Sequence, residues 1–82
     1  MGVGIAPSNA NDISKNGFYF VNTYTFPDGG KNYGDMQIGF LLHLKNGSHI
    51  VQIQYTTKSD AMQKRSYHAD RGWSDWKTIQ AV

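Results

Sequence analysis

Gly39-Phe-Leu-Leu-His-Leu-Lys-Asn-Gly-Ser-His-Ile-Val-Gln-Ile-Gln-Tyr55 is the stretch on which the fold turns. Asn46-Gly47 stands between two apolar runs, and this dipeptide is the strongest short-range mark of a two-residue type I′ hairpin, whose central residues both need positive φ. Pairing Lys45 with Ser48 sets Leu44 against His49, Leu42 against Val51, Phe40 against Ile53 and Ile38 against Tyr55. Because side chains alternate along a strand, Ile38, Phe40, Leu42, Leu44, Val51, Ile53 and Tyr55 then share one side. His43, Gln52, Gln54 and Thr56 take the other. A slip of one residue would exchange the two faces, so the register is well specified, and the apolar side is the expected core face.

Working outward, Gly17 to Thr25 reads as a third strand, with Phe18 and Phe20 on one face and Tyr19, Val21 and Thr23 on the other. Apolar residues on both faces suit a strand covered on both sides. Before it, Ser8 to Asn16 has capping residues but no helical stripe, which predicts a turn or a single helical turn with Ile13 tucked inward. Phe26 to Asp35, with Pro27-Asp28-Gly29 and further glycines, reads as the longest loop, and loops of this kind carry function more often than the sheet beneath. Residues 57–62 form a turn, Gln63 to Ala69 a strand with Arg65, Tyr67 and Ala69 on one face, Asp70-Arg71-Gly72 another turn, and Trp73 to Gln80 the closing strand. The fold class is mainly β: a small antiparallel sheet or sandwich of about five short strands with at most one or two short helical turns. Residues 1–8 read as an N-terminal extension and 9–82 as one β-rich domain.

The chain has 82 residues, and a domain of that size buries only about 60–65% of the surface its unfolded form exposes. It has no cysteine, so disulfides and cysteine-bound zinc are closed to it, and association with copies of itself or anchorage within a longer polypeptide is the remaining support. Eight basic against six acidic residues leave a net charge of +2, with the basic residues scattered, which is no nucleic-acid footprint. No segment approaches the roughly 20 apolar residues of a membrane span, so no membrane insertion is expected.

Candidate chemistry is sparse. His43 and His49 point to opposite faces and cannot chelate together, so no metal site is expected. The serines lie outside any nucleophile-elbow context, and the six aspartates are not paired by sequence, so neither a catalytic set nor a cofactor is expected and the chain reads as a non-enzyme. Trp73 and Trp76, in Asp70-Arg-Gly-Trp-Ser-Asp-Trp-Lys-Thr-Ile79, suit either a stacking platform for sugar rings or the plug of a small core. A chain this small needs large apolar side chains, and Phe18, Phe20, Phe40, Leu42, Val51, Ile53, Trp73 and Trp76 are the expected structural core. Tyr24, Asp28, Tyr33 and Tyr67 are the candidate contacts for a glycan or receptor.

Asn11-Asp12-Ile13, Gly17-Phe18-Tyr19, the strand His49-Ile-Val-Gln-Ile-Gln-Tyr-Thr-Thr57 and Gly72-Trp73-Ser74-Asp75-Trp76-Lys77-Thr78-Ile79 follow one another in an order and spacing that resemble the knob-type domain of R-type pyocin fibres and of bacteriophage tail fibres and receptor-binding proteins. The resemblance covers residues 9 to 80, and the loop from Phe26 to Asp35 departs from it. It implies a non-enzymatic structural and recognition module of a tail fibre, found on the virion tail and outside the cell after assembly in the host cytoplasm. It also implies partners: a homotrimer or neighbouring fibre domains, and a bacterial surface polysaccharide met through the loop at 26–35. In such a module the tryptophan motif is structural. The alternative is a carbohydrate-binding module attached to a cell-wall hydrolase, with the indoles facing solvent.

Overall fold

A computed structural model describes residues 3–79; the first two residues of the expected extension and the end of the expected last strand, at Gln80, lie outside the described residues. Among the described residues the fold is mainly β, a single seven-stranded mixed sheet with two isolated 3-10 turns. β1 (Val3–Ile5) pairs parallel to β2 (Gly17–Asn22), and β2, β3 (Ile38–Asn46), β4 (His49–Thr56) and β5 (Ala61–His68) follow as an antiparallel meander. β5 is flanked at its end by β6 (Gly72–Trp73) and at its start by β7 (Lys77–Ile79). The stretch 3–8 is therefore part of the fold rather than an extension: it contributes β1, buries Ala6, and is tied by a hydrogen bond from the Lys31 N–H to the Ser8 carbonyl at 2.7 Å.

The expected hairpin forms with a shifted turn. Asn46 pairs with His49, so the two turn residues are Gly47 and Ser48, and Gly47 alone takes positive φ, at 62°. Glycine at the first central position is the type II′ arrangement, which needs left-handed backbone at one residue where type I′ needs it at two. Cross-strand partners move by two, to Leu44 with Val51, Leu42 with Ile53 and Phe40 with Tyr55. An even shift preserves the faces.

The burial of those faces is the reverse of the expectation. Phe18, Phe20, Phe40 and Val51 are exposed, and Leu42 and Ile53 only half-buried, so these six do not form the core. Val21, Leu41, His43, Gln52, Gln54, Thr56 and Arg65, on the other face, are the buried set. The reason is connectivity: residues 6–13 and the segment from Thr23 to Met36 fold over the second face and supply Ala6, Ala10, Ile13, Tyr33 and Met36 as its apolar cover. Tyr19, Phe26 and Trp76 pack around that cluster. One face of the sheet thus has a lid. The other has none among the described residues.

The two central strands approach closely enough at one point to require glycine. At Gly39, opposite Thr56, a Cβ would lie 1.9 Å from the Tyr55 carbonyl oxygen and 2.9 Å from Met36 Sδ, so the backbones and the lid methionine meet where a side chain would stand.

Candidate functional site

Arg65 projects from the middle of β5 into the covered face and is 5% exposed. Its Nε donates to Gln52 Oε1 at 2.8 Å, and its Nη2 donates to Asn11 Oδ1 at 2.7 Å. Its guanidinium lies 3.7 Å from the ring centre of Trp73 and 4.9 Å from that of Trp76. Burial pulls its pKa down to about 10, so it is charged at neutral pH, and the indole faces and amide oxygens take the place of water around that charge. Gln52 extends the network: its amide nitrogen donates to the Ala10 carbonyl and to His43 Nδ1, both at 3.0 Å. A His43 Nδ1 that accepts fixes the proton on Nε2. Burial first, then the charges of Lys45 and Arg65, hold the His43 pKa below its ordinary 6.5, so the ring is neutral. His43 Nε2 and Gln54 Oε1 find no protein partner.

The tryptophan segment reaches this place through local chemistry. Gly72, at φ 75°, ends the turn after β5, and Ser74 closes it by accepting the Ser66 N–H at its hydroxyl, 3.0 Å away, while its own N–H donates to the Ser66 carbonyl. Trp73 then packs on Tyr67, ring centres 5.3 Å apart, and Trp76 donates its indole N–H to the Asn32 carbonyl at 2.9 Å. Both indoles are half-buried, each turned to Arg65. They are neither the fully buried plug nor an open platform: they form a clasp, joining the sheet end to the lid.

Of the four candidate contacts, Tyr33 is placed otherwise. It is 3% exposed, stacks on Phe26 with centres 6.0 Å apart, and donates its hydroxyl to the Pro7 carbonyl, so it is a core residue and not a receptor contact. The loop carrying it is lid, which is why its aromatic side chain points inward. Tyr24 is exposed and donates to Gln37 Oε1 at 2.9 Å; Asp28 is exposed and caps its own turn by accepting the Gly30 N–H at 3.0 Å. Tyr67, two residues along β5 from Arg65 and so on the same covered face, is half-buried against Trp73, while Tyr24 and Asp28 bond elsewhere, so the structure does not gather these residues into one site.

His43 is buried and His49 exposed, on opposite faces as expected, but His49 meets His68, its cross-strand partner, edge to face at 4.4 Å between ring centres. Among the described residues no three metal-ligating side chains converge. A shallow groove of about 590 Å³ runs along β5, β6 and β7, and Lys64, Arg65, His68, Arg71 and Lys77 line it with no carboxylate among its walls. Lys64 and Lys77 are cross-strand partners there. Such a groove suits carboxylate or phosphate groups on an extended ligand. Alternation alone could not find it, since its basic residues come from two strands and a turn. No protein-family model matches the chain, and no curated protein or solved structure does.

Proposed function

We propose that this chain is a non-enzymatic structural and recognition module of a phage or phage-like tail fibre, carried on the virion tail among further copies of itself or neighbouring fibre domains. One observation carries the reading. The segments on which the resemblance rests, distant in sequence, meet at a single buried guanidinium: Asn11 from the first, Gln52 from the third, and Trp73 and Trp76 from the last. Gly17 and Tyr19 from the second lie on the same covered face, in the rows of His43 and Leu41. A set of residues spent on holding a fold together supports a scaffold rather than a reaction centre.

In this reading bacterial surface polysaccharide is met at the groove beside β5 to β7, where cations and a half-exposed edge of Trp73 lie together, rather than at the loop of 26–35. The carbohydrate-binding module of a hydrolase draws less support, because the indole faces that it would offer to a sugar are turned to Arg65. Electron microscopy with a gold-labelled antibody against this domain tests the proposal on particles released by the strain that encodes it. Label at tail appendages is expected. Unlabelled tails, with the antigen found instead on a secreted hydrolase, would overturn it.

A further inference from the structure

The uncovered face of the sheet is built as cross-strand rows, two of which the register makes continuous across the sheet, with Leu44 and Val51 in a shorter third. Ile5, Phe20, Phe40, Tyr55, Met62 and Ile79 stand side by side across β1, β2, β3, β4, β5 and β7. All six are exposed and none is charged. The neighbouring row begins with Val3 and Phe18 and ends at Lys64 and Lys77, the charged corner of the face. Every large apolar side chain left exposed among the described residues, Tyr24 apart, belongs to this face. At roughly 200 Å² for a large apolar residue and exposures between 37 and 88%, it leaves on the order of 1,000 Å² open. The largest patch on a typical monomer is about 300–600 Å², and each partner in a stable interface contributes about 800 Å².

We infer that this face takes the same face of a second copy of the chain, sheet against sheet, in a closed assembly. Size is the first argument: the area reaches what a stable interface needs. Self-complementarity is the second. An uncharged apolar row meets its own copy without cost, whereas Lys64 and Lys77, if superposed on their equivalents, would repel. The corner they form therefore lies at the rim, and the apolar rows at the centre. A hollow of about 240 Å³ between Phe18, Phe40, Ile53, Tyr55 and Met62 gives the opposing sheet a place to seat a side chain. This inference rests on the tail-fibre reading only in its multi-copy sense, and it fails separately from it.

Sedimentation equilibrium on the whole chain decides it. The expected mass is twice 9.2 kDa, falling to that of one chain in Phe40→Glu and, independently, in Met62→Glu, with the β-sheet circular dichroism spectrum retained. A wild-type chain that stays monomeric throughout its soluble range would overturn the inference, and so would an assembly that both folded variants leave intact. A monomer that cosediments with phosphatidylcholine–phosphatidylglycerol vesicles would also overturn it, assigning the face to lipid. Should either variant lose its β-sheet spectrum, the wild-type mass decides alone. An assembled chain whose antibody labels no tail leaves the surface standing and removes the fibre; a monomer whose antibody does label tails does the reverse.

Discussion

The two faces of this sheet differ in a way that ordinary patterning would reverse. The covered face holds an arginine, a histidine, two glutamines and a threonine, each at most 5% exposed, around only a few aliphatic groups. The uncovered face carries Phe18, Phe20 and Phe40. Covering a polar face is tolerable because nearly all its polar groups find partners in the lid or on neighbouring strands, and an unpaired buried polar group costs about 1–3 kcal/mol. The difference teaches that the single chain is held together by its hydrogen-bonded face, which leaves the apolar face for the association proposed above.

Substitutions can break that division, and the largest effect is expected at Gly39. A methyl group there would meet the Tyr55 carbonyl at 1.9 Å, with both strands unable to move without parting β3 from β4. Gly39→Ala is expected to cost about 3 kcal/mol or more, seen as loss of soluble expression or a collapsed urea midpoint; a stable Gly39→Ala protein would show that β3 and β4 can part locally at this point. Next is Arg65→Met, which removes the charge but leaves Gln52 Oε1 and Asn11 Oδ1 without donors. A loss of about 3 kcal/mol is expected, with red-shifted tryptophan emission as the indoles lose the guanidinium. On the open face Phe40→Ser forfeits the edge-on contact with Phe20, ring centres 5.6 Å apart. It is expected to cost the monomer only about 1 kcal/mol, while removing the rise of melting temperature with protein concentration that association confers.

The smallest effect is a pH dependence. His43 is held below its ordinary 6.5 in the folded chain, so the unfolded chain binds a proton first as pH falls. Stability is therefore complete above pH 6.5 and declines as pH drops below it towards the folded pKa. His43→Gln, whose Oε1 can accept the Gln52 hydrogen bond, is expected to flatten the denaturation midpoint between neutral pH and the onset of carboxylate titration. An unchanged slope in that variant would place the acid sensitivity elsewhere.

Much of the fold was legible in the residues. Asn46-Gly47 located the central hairpin, alternation sorted β2 to β5 correctly into two sets, and Ile13 tucks inward as its neighbourhood suggested, while the expected closing strand from Trp73 is broken at residues 74–76 into β6 and β7. The choice between the sets was not legible, because alternation reports which side chains share a side and carries no information on which side the connections cross. Tyr33 shows the same limit: within a glycine-rich loop it resembles a contact residue, and only its bond to Pro7, 26 positions away, makes it core. For the clasp the residues were all present in the sequence, but nothing near Arg65 announces that Asn11 and both indoles will surround it. A faint sign existed in Gln52-x-Gln54-x-Thr56 facing Arg65, since polar groups matched across strands can satisfy one another when buried.

The Arg65 clasp also sets an order in time. β3, β4 and β5 follow one another through short turns and can zip together from Gly47 outward, whereas the clasp waits for groups from positions 11, 52, 73 and 76 to be gathered. It should close after the barrier is crossed. In stopped-flow measurements Arg65→Met then accelerates unfolding while refolding keeps its pace, and equal changes in both rates would move the clasp into the nucleus.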